Sequence, residues 1–147
     1  MRQSCNARLT IVQTGRIQPV LPHLQETDLP LPIKFSATGP DGWMAAPDML
    51  QETAKLVDGN PMGRDHVYFD RANPRFRTGI WRSQAYTEWY DSYAADEFMY
   101  VLEGEVTLEA DGFSETYRAG DAFFVPKGFC GYWRQSVPML KYYVIIE

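Results

Sequence analysis

From residue 66 onward, short runs of β-branched and aromatic residues alternate with polar residues and are separated by turn signals. A period of two is typical of strands, because successive side chains of a strand point to opposite faces. Glu105-Val-Thr-Leu-Glu109 shows the alternation clearly, and Asp111-Gly112 then supplies a hairpin turn. Strands with such even spacing predict an all-β sandwich or barrel. The predicted strands are 66–69, 76–82, 86–90, 97–102, 105–109, 114–118, 122–125, 131–134 and 140–146.

The first 60 residues have a different composition. Seven of the ten prolines lie between Pro19 and Pro61, and only two of the 21 aromatic residues lie before residue 60. Proline fixes its own φ and restricts the preceding residue, so we expect an extended arm that wraps the barrel or covers a dimer partner. One short helix is predicted over 47–57, from the helical spacing of Leu50, Ala54 and Val57. The chain is thus expected to have an N-terminal arm, residues 1–60, and a barrel domain, residues 61–147.

The charge and the cysteine content exclude several classes of function. The formal net charge is -5 and the pI is about 5.0, which argues against a nucleic-acid interface and against binding to a membrane surface. No apolar run approaches the roughly 20 residues that a spanning helix requires. Cys5 and Cys130 cannot form a disulfide framework, so reduced thiols in a cytoplasmic protein are expected. Only two histidines are present, too few for a metal site built on imidazole.

Two segments of the barrel region resemble the conserved motifs of the cupin superfamily. Glu97, followed by six residues and Gly104, is similar to the end of the first motif. Gly120, five residues, Pro126, one residue and Gly128 resemble the opening of the second motif. The glycines suit turns in which the strands reverse at positive φ. The resemblance implies a cupin double-stranded β-helix, that is, a jelly-roll barrel.

Within the superfamily, the chain is similar to the small single-domain cupins grouped with (S)-ureidoglycine aminohydrolase and the ethanolamine-utilisation cupins. The segments Thr78-Gly-Ile-Trp81, Asp96-Glu97-Phe98 and Gly131-Tyr-Trp133 add to the two motifs, and the similarity covers about half of the chain, from residue 75 to residue 146. Cupins commonly dimerise through sheet faces or exchanged terminal strands. The resemblance therefore implies a homodimer.

The metal ligands of the family are mostly missing. The first motif normally carries a His-x-His pair three or four residues before the glutamate, and those positions fall on Asp91 and Tyr93, or on Tyr90 and Ser92. Glu97 alone remains of the four usual ligands. These departures from the family motif therefore predict a cupin without the usual His-based metal site and with no cofactor. Oxygen ligands from Asp91, Tyr93 and Glu97 leave weak binding of a hard divalent cation as an alternative.

The second motif departs from the family in the same way. Gly131 stands where the family has its fourth ligand, a histidine, and Gln135 replaces an asparagine. Side chains two apart on a strand share a face, so Gly131, Trp133 and Gln135 are expected to point together. If they face the pocket, glycine opens space there, and Trp133 either fills that space or stacks on a bound ring.

Glu97 and Tyr93 are the predicted catalytic residues. A carboxylate inside an apolar barrel has its charged form disfavoured by desolvation, so Glu97 could act as a general acid or base, or pair with a cationic substrate group. The structural alternative is that Glu97 is buried without a catalytic role and is satisfied by hydrogen bonds or charges of neighbouring Tyr or Arg side chains. The ligand-binding residues are predicted to be Asp91, Trp81, Tyr86, Gly131, Trp133 and Gln135.

Three functions follow as hypotheses, and the sequence leaves open whether the protein is an enzyme. The first is a cupin that binds a small polar or aromatic metabolite in the barrel without a metal. The second is a metal-independent isomerase, lyase or hydrolase that uses Glu97 and a tyrosine as acid and base. The third is a metal-dependent aminohydrolase like the family namesake, to which the missing histidines are a direct objection.

Overall fold

A computed structural model describes residues 31–40, 43–46 and 54–147 of the chain. The described residues contain eleven strands: β1 Met44–Ala46, β2 Ala54–Gly59, β3 Gly63–Ala72, β4 Arg75–Ser83, β5 Tyr86–Tyr90, β6 Asp96–Glu103, β7 Glu105–Ala110, β8 Phe113–Arg118, β9 Ala122–Val125, β10 Gly131–Gln135 and β11 Met139–Ile146. All nine strands predicted from the two-residue period are confirmed as β3 to β11. The predicted bounds of β5 and β9 agree with the structure.

The strands form two antiparallel sheets. The six-stranded sheet has the order β1-β3-β4-β11-β6-β9, and the five-stranded sheet has the order β2-β5-β10-β7-β8. The chain crosses between the sheets repeatedly, and the last long strand, β11, returns to lie between β4 and β6. This is the jelly-roll arrangement of packed antiparallel sheets, so the expected all-β fold is confirmed.

The predicted helix over 47–57 is wrong in the part that the structure describes. Residues 54–57 belong to β2, which pairs antiparallel with β5 through the register Ala54 to Tyr90. The edge of the five-stranded sheet supplies backbone partners there, and this pairing overrides a weak local preference for helix. Residues 47–53, and most of the predicted arm, lie outside the described residues. Within the described ranges, no helix has the length and apolar character needed to cross a membrane.

The core lies between the two sheets and follows the alternation of their strands. Along β6, Glu97, Met99 and Val101 are buried, whereas Phe98 and Tyr100 are exposed on the outer face. Along β10, Gly131, Trp133 and Gln135 are buried, as their spacing predicts. Each large apolar side chain removed from water stabilises the fold by roughly 1.5–3 kcal/mol, so the interior aromatics dominate the stability.

Gly104 connects β6 to β7 in a conformation that suits glycine. Its φ is 79°, and a Cβ atom there would lie 2.2 Å from the carbonyl oxygen of Pro138. Both the left-handed backbone and the close approach of a neighbouring chain exclude a side chain. The predicted role of Gly104 at a strand reversal is therefore confirmed.

Candidate functional site

A buried ion pair between Lys141 and Glu97 lies in the barrel interior. Lys141 is on β11 and shares its inward face with Met139 and Tyr143, because all three are two residues apart and buried. Its Nζ atom is 2.8 Å from Oε1 of Glu97 on the adjacent strand β6. The two side chains are only 7% and 5% exposed. Two opposite charges are thus held together almost completely out of water.

The Lys141 ammonium also contacts a sulfur atom and two aromatic rings. Nζ lies 3.1 Å from Sδ of Met99, 5.0 Å from the ring centroid of Trp81 and 4.9 Å from that of Trp133. A cation close to the negative face of an indole is attracted electrostatically, by about 2 kcal/mol when water is excluded. These contacts offset part of the cost of burying the ammonium.

Tyr93 completes the interior site from the loop between β5 and β6. Its hydroxyl donates a hydrogen bond to Oε2 of Glu97. The loop is fixed by two backbone hydrogen bonds of 2.8 Å, from Tyr93 N to Phe129 O and from Gly128 N to Tyr93 O. Burial raises the pKa of the Tyr93 hydroxyl well above its usual value, and the Glu97 carboxylate raises it further. Tyr93 is therefore a neutral hydrogen-bond donor at physiological pH.

A second buried carboxylate, Glu88, lies on the inward face of β5. Tyr90 donates a hydrogen bond to Oε2 of Glu88, and the ring of Tyr90 packs edge-on against that of Tyr93 at 4.9 Å between centroids. Tyr86, two residues before Glu88, packs edge-on against Trp81. Burial raises the pKa values of Tyr86 and Tyr90 well above their usual range. The inward face of β5 thus consists of neutral phenols and a buried acid.

Gln135 is a buried residue of β10 and lies opposite Tyr86 of β5 in the strand pairing. Its side-chain amide donates to Ser83 Oγ at 2.9 Å and to the carbonyl oxygen of Gln84 at 2.7 Å. The indole N–H of Trp133 approaches Oε1 of Gln135 at 3.4 Å. Both polar ends of the amide therefore have protein partners, which orient Gln135 and help to fix the Trp133 ring beside Lys141.

Two of the predicted ligand-binding residues lie elsewhere or act differently. Gly131 opens no space, because a Cβ atom there would lie 2.2 Å from the carbonyl oxygen of Glu109, and the close approach of this backbone explains the glycine. Asp91 is 53% exposed at the surface, where it pairs with Lys55 at 2.6 Å and accepts a hydrogen bond from Trp89 Nε1 at 2.8 Å. The hydrogen bond from Lys55 lowers the pKa of Asp91.

The structure therefore brings together Glu97, Tyr93, Trp81 and Trp133, with Tyr86 and Gln135 at the margins, and it places Asp91 apart from them. His66, one of the two histidines of the chain, packs edge-on against Tyr68 at 4.7 Å between ring centroids.

The residues of the site do not fit a divalent metal. In residues 31–40, 43–46 and 54–147, no group of three or more His, Cys, Asp or Glu side chains lies close enough to hold a metal ion. The carboxylate of Glu97 already faces the Lys141 ammonium at 2.8 Å, and a second cation there would be repelled by it. The oxygen trio of Asp91, Tyr93 and Glu97 is not assembled, because Asp91 points to solvent.

A further polar cluster, which the sequence did not indicate, lies beside the site on the six-stranded sheet. Tyr143, on the inward face of β11, directs its hydroxyl at both oxygens of Asp65 on β3, at 3.0 and 3.2 Å. Gly79 leaves room for that hydroxyl, since a Cβ atom there would lie 2.6 Å from it. Burial raises the pKa of Asp65, while the Tyr143 hydrogen bond and the charge of Arg77 oppose the rise.

An apolar pocket of about 260 Å³ lies between β8 and β9, the edge strands of the two sheets. Its walls are formed by the side chains of Leu108, Ala110, Phe113, Tyr117, Phe124, Val125, Pro126 and Phe129. Two of these residues are direct cross-strand partners of site residues: Val125 pairs with Glu97, and Leu108 pairs with Trp133. The pocket therefore borders the site at a distance of one strand.

Lys141 is the main residue that the sequence interpretation missed. It stands within the apolar strand Leu140-Lys-Tyr-Tyr-Val, which was interpreted only as a final sheet strand. The two-residue period contained the missing signal, since Met139 and Tyr143 flank Lys141 on the same face. A lysine on the core-facing side of a central strand is rare enough to mark a site.

Comparisons with known proteins agree with the jelly-roll fold of the two sheets. The EutQ-like cupin domain family matches residues 71–143. The structure is similar to the EutQ protein of Clostridium difficile, with 22% identity and a TM-score of 0.50, over 58% of this chain and 68% of that one. It is also similar to ethanolamine utilization protein Q of Salmonella typhimurium, with 17% identity and a TM-score of 0.50, over 67% of this chain and 98% of that one.

A protein of unknown function from Pseudomonas syringae is similar as well. The identity is 23% and the TM-score is 0.62, over 76% of this chain and 46% of that one, so this chain spans less than half of that protein. No curated protein matches the sequence. At these identities, the similarity of the structures shows the fold alone. The matched domain and the jelly-roll topology together show that the chain belongs to the cupin superfamily, with an EutQ-like cupin domain.

Proposed function

We propose that the barrel interior binds a small polar or aromatic metabolite without a His-based metal centre. The observation that carries this proposal is the buried Lys141–Glu97 pair, whose ammonium group also lies over the rings of Trp81 and Trp133. A buried ion pair contributes little net stability, because desolvation of both charges cancels most of their attraction. Ionisable groups that a fold keeps out of water at such a cost are typical of functional sites.

The contacts of Lys141 indicate which ligands would suit the site. An ammonium group has three N–H donors, and the described contacts direct two of them at Glu97 Oε1 and Met99 Sδ. A carbonyl or carboxylate oxygen of a ligand would accept the third. A flat ligand would gain further from stacking on Trp81 or Trp133. We therefore expect a small molecule that combines an oxygen acceptor with a planar or apolar part.

The second candidate is a metal-independent isomerase, lyase or hydrolase. It is favoured by the hydrogen bonds that join three ionisable side chains, since Glu97 accepts from both Tyr93 and Lys141. General acid and base catalysis requires groups within this distance of each other and of the substrate. A metal-dependent aminohydrolase is disfavoured, because the donor set around Glu97 contains an ammonium in place of imidazoles.

A screen of metabolites by thermal shift tests the binding proposal. Ligands that raise the melting temperature of the native protein should lose most of that effect in Glu97→Gln and in Trp133→Ala. Asp91→Asn is the matched control, because Asp91 is exposed and pairs with Lys55 at the surface, and its shifts should equal those of the native protein. Shifts that persist unchanged in both interior variants would place the ligand elsewhere and refute the proposal.

We also propose that the protein is a homodimer through the outer face of the six-stranded sheet. Phe98, Tyr100, Phe124 and Ile146 are all exposed there, and Phe98 pairs directly with Phe124. Contiguous apolar surface of this kind is typical of interfaces. Sedimentation equilibrium should give a dimer for the native protein and a monomer for Phe98→Lys combined with Phe124→Lys. Val137→Lys, which alters another exposed apolar residue, should remain dimeric, and a monomeric native protein would contradict the proposal.

A further inference from the structure

We infer that Lys141 is a nucleophile that forms a protonated Schiff base with a small aldehyde or ketone. The inference rests on the proposed function, since the carbonyl compound must enter the same barrel interior, but it assigns a covalent step that binding alone does not require. The observation behind it is the combination at one atom, Lys141 Nζ, of burial, a carboxylate partner at 2.8 Å and two flanking indoles.

The environment of Lys141 differs from that of an ordinary surface lysine. Lysines that form Schiff bases are characteristically withdrawn from water, because the amine must lose its proton before it attacks and because water would hydrolyse the product. The side chain of Lys141 is 7% exposed, whereas that of Lys55 is 66% exposed. In the described structure, Lys141 is thus removed from bulk water and still has a proton acceptor in direct contact.

The reaction can proceed with Glu97 accepting a proton and later returning it. Glu97 Oε1 accepts one proton from the ammonium, and the freed electron pair of Nζ forms a bond to the carbonyl carbon while the C=O π pair moves to oxygen. Transfer of a second nitrogen proton to that oxygen gives the neutral carbinolamine. Glu97 then returns its proton to the hydroxyl group, which leaves as water while the nitrogen lone pair forms C=N⁺. The net change is R–NH₃⁺ plus O=C to R–NH⁺=C plus H₂O.

The net charge of the interior is the same before and after the reaction. A protonated Schiff base is a cation, like the ammonium that it replaces, and Glu97 is a carboxylate in both states. The attraction of Glu97 and of the two indole faces therefore persists in the product. Tyr93 keeps its hydrogen bond to Oε2 throughout, which holds the carboxylate in position without adding charge.

The adjacent pocket indicates the class of carbonyl compound. It is walled by apolar and aromatic side chains, and its inner residues Val125 and Leu108 are cross-strand partners of Glu97 and Trp133. A volume of about 260 Å³ suits a molecule smaller than a typical drug-sized ligand. The lining favours an aldehyde or ketone with an apolar chain or an aromatic ring over a sugar, whose hydroxyl groups would lack partners there.

Reductive trapping provides the test. The native protein is incubated with butanal or benzaldehyde and sodium cyanoborohydride at neutral pH, and adducts at each lysine are quantified by peptide mass spectrometry. The chain has four lysines, at positions 34, 55, 127 and 141, so the other three are internal references. Since general-base assistance contributes about 100-fold or more, Lys141 should be labelled at least about tenfold faster than Lys55 and Lys127. The preference should disappear in urea.

Two variants make the outcome specific. Lys141→Arg keeps a cation beside Glu97 but has no amine nucleophile, so adducts at position 141 should vanish while labelling of Lys55 is unchanged. Glu97→Gln keeps a hydrogen-bond acceptor but cannot take the proton, so Lys141 should lose its advantage over Lys55. Labelling confined to the surface lysines, in a native protein that remains folded by circular dichroism, would overturn the inference.

The two proposals can fail separately. If metabolites still give thermal shifts that Trp133→Ala abolishes, but Lys141 is never trapped, the Schiff base is refuted and the binding function stands. If neither shifts nor adducts are found, both are refuted. Trapping at Lys141 that Glu97→Gln suppresses supports both, because the carbonyl compound must then have entered the interior.

Discussion

Lys141 Nζ and Glu97 Oε1 lie 2.8 Å apart between the two sheets, on adjacent strands of the larger one. Glu97 stands at the position of a metal ligand in the cupin motif. In this protein, the positive charge beside its carboxylate is the ammonium group of Lys141.

Removing the ammonium should destabilise the fold strongly. Lys141→Met leaves Glu97 buried beside a neutral side chain, and breaking a buried pair by removing one partner costs about 3–5 kcal/mol. Urea unfolding measures the loss. Lys55→Met, in the exposed pair with Asp91, should cost less than about 1 kcal/mol. The double variant Lys141→Met with Glu97→Leu should recover much of the lost stability, and equal costs for the two single lysine variants would contradict a buried pair.

The buried phenols should make the fold sensitive to alkali. The pKa values of Tyr86, Tyr90 and Tyr93 are raised in the folded state, so above about pH 10 the unfolded chain binds fewer protons than the folded one. The free energy of unfolding must then fall as the pH rises, by about 1.4 kcal/mol per pH unit for each such tyrosine.

Urea unfolding at several pH values above about 9 measures this slope. Tyr93→Phe should reduce the pH dependence of the free energy of unfolding by the contribution of one tyrosine. It also removes the hydrogen bond to Glu97, which lowers the stability at every pH. The ultraviolet absorbance of phenolate provides the independent check, since the native protein should ionise fewer than its nine tyrosines before it unfolds. A native protein in which all nine ionise reversibly would contradict the burial.

Two glycines with similar backbone conformations should respond differently to alanine. Gly104 and Gly112 have φ values of 79° and 71°, so each substitution costs about 1–2 kcal/mol through the left-handed backbone. A Cβ atom added at Gly104 would lie 2.2 Å from the carbonyl oxygen of Pro138. A Cβ atom added at Gly112 would have nothing within 4 Å. Gly104→Ala should therefore be clearly more destabilising in thermal unfolding. Equal losses would mean that the backbone conformation alone requires glycine.

Protein purified without chelators should contain well under one equivalent of manganese, iron, nickel or zinc. The reason is the donor set of the site, in which Glu97 faces an ammonium in place of imidazoles. Elemental analysis measures the content, and excess chelator should leave the melting temperature unchanged. Near one equivalent of metal in the native protein, lost in Glu97→Gln, would overturn the metal-free proposal.

The barrel could be predicted from the sequence because its strands alternate. Burial alternates along β5 and β10 and from Asp96 to Val101 in β6, so the two-residue period is directly visible in the residue types. β2 lacks that signal, since Leu56 and Val57 are both exposed and consecutive. Its strand conformation comes from pairing with β5, a tertiary contact that no local pattern of the segment 54–59 contains.

The candidate site was predictable in part. Glu97 and Tyr93 were singled out by their positions in and before the first motif, and a hydrogen bond joins them. A tyrosine partner for a buried Glu97 belongs to the structural alternative, and the catalytic roles stay a prediction. Asp91 is two residues from Tyr93, but it belongs to the turn after β5 and pairs with a surface lysine. The sequence predicts open space at Gly131 if it faces the pocket, yet the missing side chain accommodates the backbone of β7. Such close approaches between strands depend on register and twist, which residue spacing does not specify.

The placement of Lys141 determines how the site acquires the positive charge beside Glu97. A metal centre takes its ion from outside the chain, so it depends on the supply of that ion. Here the positive charge beside Glu97 is provided by translation, because it is part of β11. Every copy of the protein acquires it when β11 pairs with β6, in a stoichiometry that neither a chelator nor a shortage of metal can change.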